Sequence, residues 1–378
     1  MYINFLFENI MGIKYANELL KDCKSQVSIE QYRNKTIVID FMTIVVNTKK
    51  NYPEDKYWMN HIIKLIDIFK SYNITIICVF DGNSKPKEKN KVIEKRRSNG
   101  RDEKQKFDLL KDDYYKLISK DTNQIENLRQ KYQKYLRPET NITTESLDNS
   151  EHNEISIVEL YNKIIDQYNQ HNRHITFPSQ LEIHCLKKIL RYYEIIVIEA
   201  EGEGEAVCVQ LYKDGFINPY ELSKDNQLTF EKQTQFNSDN IIKVDIIYSD
   251  DSDILLYNVK EYISGFKKDK KTFNLIKSDV IANKHNIPED KFLLFCYCLG
   301  NDYDNGLWYT YPNQFSRIQQ FIQNNTIESI EQMLQNKIRI TYERLKYIFN
   351  HKNTSFTIVA DVDINDINKL FEKYLGKG

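Results

Sequence analysis

The chain has 378 residues, 41% of them hydrophobic and 28% charged, with 53 basic and 54 acidic side chains and a net charge of −1. Mean hydropathy is −0.60 and no apolar run approaches the ~20 residues that span a bilayer, so a transmembrane protein is excluded and no membrane partner is expected. The six cysteines form no CxxC pair and read as reduced intracellular thiols, and the first ten residues lack the basic lead and cleavage site of a signal peptide.

In chain order, residues 35–40 form an apolar run ending in Asp40, which reads as a buried strand. Residues 58–72 place Ile62, Ile63, Ile66 and Phe69 at helical spacing, and residues 74–80 form a second strand ending at Asp81. Strand, helix and strand at this spacing make a βαβ unit and predict a parallel sheet. Residues 83–137 have a helical, basic pattern, and the polar stretch 138–156 reads as a mobile loop. A helix over 179–193, a strand over 195–198 and a helix over 203–213 follow. A fourth strand is predicted over 241–248 and an apolar helix over 289–299, while the final seventy residues look helical and carry no motif.

Carboxylates recur where these strands end. Asp40 and Asp81 close the first two strands, Glu203 and Glu205 follow the third, Asp251 and Asp253 follow the fourth, and Asp302 follows the apolar helix. The carboxyl ends of neighbouring parallel strands share one sheet edge, where ligands bind, so the acids are expected to converge. Each close pair of carboxylates costs on the order of 4 kcal/mol at an effective dielectric near 20. The cluster therefore needs cations or raised pKa values. Oxygen ligands without His or Cys select Mg²⁺, with Mn²⁺ able to substitute. Two such ions are the usual apparatus for in-line attack on a phosphodiester.

Charge is strongly segregated. Residues 85–106 hold ten Lys and Arg against four acids, and residues 199–257 hold thirteen acids against four bases. A basic arm beside an acidic pocket suits sequence-independent phosphate binding, with Lys85 and Lys104 as backbone contacts. The cluster Lys267–Lys271 reads as a hairpin tip. No GxxxxGK[ST] or HExxH motif is present, and Gly202-x-Gly204 lacks the third glycine of a dinucleotide fingerprint.

In this order the motifs resemble the flap endonuclease/XPG family of structure-specific 5′ nucleases. They are Met11-Gly12-Ile13, VIDFM around Asp40, VFDG around Asp81, EAEGEGEAVC, SDDSDILLY and CYCLGNDY. The resemblance implies a PIN-like 5′ nuclease fold, α/β with a parallel or mixed central sheet, a basic helical arch and a C-terminal helical region. It further implies a Mg²⁺-dependent endonuclease with two ions held by the seven acids. Lys89 and Arg96 would steer the scissile phosphate, and Gly300 would lie at the DNA. The chain departs from the family's pattern in four places. Ten residues precede Met11; Val46 stands where flap endonucleases carry a stacking Tyr; residues 306–313 replace the Gly-Ile-Gly turn of the helix–two-turn–helix; and no sliding-clamp peptide closes the chain. With the prominence of Ile, Asn, Lys and Tyr, residues whose codons are AT-rich, these departures suggest a divergent viral member.

The expected organisation is a first nuclease half over 11–110, an arm and loop over 111–178, a second nuclease half over 179–305 and a degenerate helix–two-turn–helix region over 306–378. The expected partner is branched or 5′-ended DNA in replication, repair or recombination, met by a monomer in the nucleus or a viral replication site. Two alternatives remain open at this point, a 5′→3′ exoribonuclease and a catalytically silent DNA-binding scaffold.

Overall fold

The computed structural model describes residues 13–84, 86–119, 122–133, 157–217, 241–308, 313–337, 340–359 and 364–376. Two compact units divide it: one holds residues 1–49, 55–93 and 178–378, the other residues 50–54 and 94–177.

The larger unit is built on an eight-stranded mixed sheet of order β1-β9-β8-β7-β2-β3-β4-β10. Its middle strands, β7 (Ile246–Tyr248), β2 (Thr36–Asp40), β3 (Thr75–Phe80) and β4 (Ile196–Ala200), run parallel. They are short β-branched runs because both faces are covered, and a parallel strand buried on both sides has no polar face to show. Alternate residues feed opposite cores. Ile37, Ile39, Cys78 and Val197 face one, and Val38, Ile77, Val79 and Ile198 the other.

The first core is covered by α2 (Phe41–Asn51), α3 (Met59–Ser71) and α7 (Gln180–Tyr192). α3 buries the predicted stripe of Ile62, Ile63, Ile66 and Phe69, together with Met59 and Leu65, and a capping box of Ser179 and Glu182 starts α7. The opposite core includes α1 (Ala16–Leu20), α8 (Gly204–Asp214), α9 (Ser278–Lys284) and α10 (Phe292–Leu299). It also takes α11 (Gln314–Asn324), α12 (Ile327–Lys337) and α13 (Tyr342–Ile348). α14 (Ile364–Leu375) returns to the first face, where Tyr374 and Leu375 are buried.

Three features differ from the sequence reading. The strand predicted over 241–248 is split: β6 (Ile241–Ile242) pairs with β5 (Phe216–Ile217) in a separate ribbon, and only β7 joins the main sheet. Asp245 accounts for the break, since its backbone N–H donates to Thr36 O and its carboxylate accepts from Thr36 N, both at 2.9 Å. A polar side chain used in this way ends the alternation a strand needs. The C-terminal region is not wholly helical, because β10 (Phe356–Ile358) pairs antiparallel with β4 and covers an edge that would otherwise expose unpaired backbone. At the other edge β1 (Lys24–Ser28) and the hairpin β8 (Glu261–Lys267) and β9 (Thr272–Lys277) add strands that the motif reading did not find. The lysine cluster lies at that hairpin's tip, as expected.

The smaller unit is helical: most of α4 (Asn90–Ile118), with α5 (Thr122–Gln133) and α6 (Ile157–Ile175). It has its own core of Leu110, Leu117, Leu128, Tyr132, Leu160 and Ile164. α6 falls in the part of the arm region that the pattern reading left without bounded elements, while the polar loop 138–156 lies outside the described residues. Among the described residues, no helix is long and apolar enough to cross a membrane.

Candidate metal centre

The carboxyl ends of β7, β2, β3 and β4 lie side by side in the sheet, so the segments that follow them meet. Asp40 is the last residue of β2 and Asp81 directly follows β3. Glu203 N-caps α8, and Glu205 lies in its first turn. Asp251 caps the 3-10 turn Ser252–Tyr257, which contains Asp253.

Glycines make the close approach possible. A Cβ on Gly82 would come within 2.0 Å of Ala200 O; without one, Gly82 N–H donates to Gly202 O at 2.9 Å and Ser84 N–H to Glu201 O at 2.9 Å. These bonds tie the loop after Asp81 to the loop before Glu203. Gly204 N–H donates to Asp81 Oδ1 at 2.9 Å, and a Cβ there would stand 2.9 Å from that same oxygen.

Ligand oxygens of Asp81, Glu203 and Glu205 lie within 4.8 Å of one another. Asp40 is nearly fully buried and accepts from Ser249 Oγ at 3.0 Å and Thr43 Oγ1 at 3.3 Å. Burial first, then the charges of Asp81 and Asp251, push its pKa up to about 8. Glu205 is raised well above the usual carboxylate range by burial and by Asp40, Asp81, Glu203 and Asp251. Asp253 is raised by burial and by Asp251, Asp302 and Glu203, with Lys89 opposing. The seven predicted acids thus form one electrostatic group, with Asp81, Glu203 and Glu205 as its tightest part.

Lys89 enters this group from a short 3-10 turn, Lys87–Lys89. Its ammonium lies 3.0 Å from Glu203 Oε1 and 3.5 Å from Asp302 Oδ2 and 5.5 Å from the centre of the Tyr303 ring. Burial alone would lower its pKa, but Glu203, Glu205, Asp302 and Asp253 outweigh it and hold the lysine charged. Tyr303 O–H also donates to Glu203 Oε1 at 3.2 Å. Sequence reasoning placed Lys89 in the basic arm, whereas its side chain is part of the acidic cluster.

The other predicted residues are Lys104, Arg96, Lys85 and Gly300. Lys104 is exposed on α4, in the helical unit. Arg96 lies on α4, but its side chain, like all of Lys85 and Met11-Gly12, is outside the described residues. Gly300 ends α10 at φ 94°, in the left-handed region that favours glycine, and a Cβ there would meet the backbone of Asn305 at 2.6 Å. That packing explains the glycine without a ligand. Two residues were missed. Tyr303 was hidden because an aromatic next to an acid is unremarkable in a Tyr-rich chain. Asp304 accepts from Gly306 N at 2.7 Å and Ile340 N at 3.2 Å and staples the Asp302 loop to the segment before α13; only the fold reveals it.

The donor set suits a divalent cation. All its oxygens come from carboxylates, and Glu205 Oε2 and Asp253 Oδ1 are buried with no hydrogen-bond partner among the described residues. A buried, unpartnered carboxylate oxygen is costly, and a hard cation is the partner such oxygens fit.

Residues 11–104 match the family model described as the XPG N-terminal domain. The chain is 22% identical over 324 residues to the "Probable RAD2-like endonuclease 076L" of Invertebrate iridescent virus 3, covering 79% of this chain and 76% of that one. It is 23% identical over 378 residues to the "Probable RAD2-like endonuclease 369L" of Invertebrate iridescent virus 6, covering 90% and 80%. Among solved structures, the catalytic core of Rad2 in complex with a DNA substrate gives a TM-score of 0.49 at 14% identity, over 97% of this chain and 96% of that one. The resemblance to the XPG family and its viral members, read above from the motifs, is borne out.

Proposed function

From that family resemblance we propose that the chain is a divalent-metal-dependent endonuclease that hydrolyses phosphodiesters in DNA bearing a 5′ flap, gap or branch. The observation that carries the reading is the group of seven acids, with Asp40, Glu203, Asp253 and Asp302 buried and Asp81, Glu205 and Asp251 half-buried, two of whose oxygens have no hydrogen-bond partner among the described residues. A protein that only bound DNA would gain nothing from concentrating negative charge where the phosphates must come.

Asp81, Glu203 and Glu205 would hold one Mg²⁺, and Asp40, Asp251, Asp253 and Asp302 would supply the charge for a second. Bound there, such ions lower the pKa of water and neutralise charge on the attacking and leaving oxygens. The chain's own contribution is to keep the carboxylates together without metal and to present Lys89. Its ammonium, held by Glu203 and Asp302, is placed to exchange a carboxylate oxygen for a phosphate oxygen. In that role it would stabilise charge that grows in the transition state. Arg96 would share the role, and Lys85 and Lys104 would hold the backbone by charge alone. Gly300 would lie beside the DNA. The setting would be DNA replication, repair or recombination, in the nucleus or at a site of viral replication, with the chain acting as a monomer.

The test is to offer labelled 5′-flap, gapped, nicked, four-way and RNA-containing substrates, with Mg²⁺ or with EDTA. Cleavage of branched DNA in Mg²⁺ alone is expected. A strict preference for RNA would favour an exoribonuclease, and binding without cleavage of any substrate would leave a scaffold.

A further inference from the structure

The turn that carries Lys89 is only three residues long, Lys87–Lys89. It runs straight into α4 at Asn90, but at its own start Pro86 offers no side-chain cap, and terminal 3-10 turns are the least persistent part of a helical run. Yet it must hold a flexible four-carbon side chain with its ammonium 3.0 Å from Glu203.

The residue before Lys89 meets a distant part of the chain. Arg344 Nε donates to Glu88 Oε1 at 2.7 Å and Nη2 to Glu88 Oε2 at 3.4 Å, a two-pronged contact across 256 residues of sequence. The guanidinium also lies 4.9 Å from the centre of the Tyr347 ring. Arg344 stands on α13, which is well anchored. Thr341 caps the helix, and Tyr342 and Leu345 are buried. The Tyr342 ring lies edge-on to Tyr297, and Phe349, just after the helix, lies edge-on to Tyr303 at 5.4 Å. Before the helix, Ile340 N–H donates to Asp304 Oδ2, two residues from Asp302. One short C-terminal segment therefore touches both the Lys89 turn and the Asp302 loop.

The Glu88 and Arg344 side chains are 23% and 42% exposed. A pair this exposed contributes only about 0–1 kcal/mol to folding, so stability does not account for its geometry. Its consequence is positional: a forked, planar contact fixes orientation as well as distance.

We propose that the Glu88–Arg344 pair is a clamp by which helix α13 holds the Lys89 turn in register with Glu203 and Asp302. Glu88 and Arg344 are positioning residues; Lys89 is the group they place. What Lys89 does once placed rests on the nuclease reading, but the clamp itself can be measured without it.

Lysine acylation with mass-spectrometric readout on the full chain reports the placement directly. Lys89 is expected to react slowly in the wild-type chain and several-fold faster in Arg344→Ala and Glu88→Ala, with the rates of remote lysines unchanged. Arg344→Lys, which keeps charge but not the fork, should fall between. The reversed pair Glu88→Arg/Arg344→Glu should restore protection. Single-turnover cleavage of a 5′-flap duplex is the second readout. Arg344→Ala should slow the step by about 10-fold, within the ~10²-fold that an ångström of misplacement can cost, with little change in DNA affinity. In a Lys89→Ala background Arg344→Ala should add no further loss. Unchanged Lys89 acylation, or an equal loss of rate with and without Lys89, overturns the clamp. If instead acylation responds as expected but the wild-type chain cleaves no substrate, the clamp stands and the nuclease reading fails.

Discussion

Both units of this chain bury acids, but they treat them differently. In the helical unit, Glu103 accepts from His171 Nδ1 at 2.5 Å and Lys106 Nζ at 2.8 Å. Asp113 accepts from Lys131 Nζ at 2.5 Å and Tyr132 O–H at 2.9 Å. Each is a single carboxylate with donors supplied by the next turn of α4 or by another helix, α6 for Glu103 and α5 for Asp113, and it serves to hold those helices together. In the sheet unit the acids are crowded, raise one another's pKa and leave two buried oxygens, Glu205 Oε2 and Asp253 Oδ1, without a partner among the described residues. Burial of an acid therefore says little by itself. The difference between structure and function lies in whether its oxygens have donors, because an unsatisfied carboxylate is tolerated only where something else is to bind.

The largest effect that would break or sharpen this comparison is on turnover. Asp253→Asn should lower single-turnover cleavage by ~10²-fold or more, the several kcal/mol that a metal's charge contributes, while DNA binding holds or improves. Isothermal titration with Mg²⁺ on the same variant should show weakened binding, whereas Asp113→Asn should change neither quantity. An Asp253→Asn chain as fast as wild type would remove that acid from the site.

Lys89→Ala comes next. As a positioned donor to developing charge it should cost ~10²-fold in the single-turnover rate, with affinity for the flap substrate nearly kept. Equal losses in rate and affinity would make Lys89 an ordinary phosphate contact.

Stability should divide the two units in opposite directions. Asp113→Ala removes hydrogen bonds to a charged group and should destabilise the chain by about 1.5–3 kcal/mol, seen as a lower midpoint in urea. Without metal, Asp253→Asn should instead raise Tm by about 1–2 °C, since about 1 kcal/mol is worth only ~1–2 °C in a chain of 378 residues. A fall in Tm for Asp253→Asn would show that its charge is satisfied within the protein.

The smallest effect belongs to Lys104→Ala. As an exposed backbone contact it should leave chemistry intact and reduce the log–log salt slope of duplex binding by about 0.9. A salt titration of fluorescence anisotropy measures it, and an unchanged slope would leave Lys104 as a solvated helix face.

Much of this was legible in the sequence because the central strands are local. A short, β-branched run such as TIVID fits a doubly buried strand, and an acid placed after each such run follows the chain to the shared sheet edge. Asp40, Asp81, Glu203, Glu205, Asp251 and Asp253 could be named on that ground alone, and the cluster's need for cations follows from Coulomb repulsion whatever the side-chain geometry. What the tertiary structure decided depends on partners far apart in the chain. Asp245 splits the predicted fourth strand because Thr36 lies opposite it. β10 becomes a strand because the edge of β4 offers it a ladder. Lys89 belongs to the acidic centre and not to the basic arm because Glu203 and Asp302 meet at its ammonium, and Arg344 matters because Glu88 lies against it. Local pattern reports the burial and periodicity of a segment, but the donor that meets a given carboxylate is set by chain crossings that no short window contains.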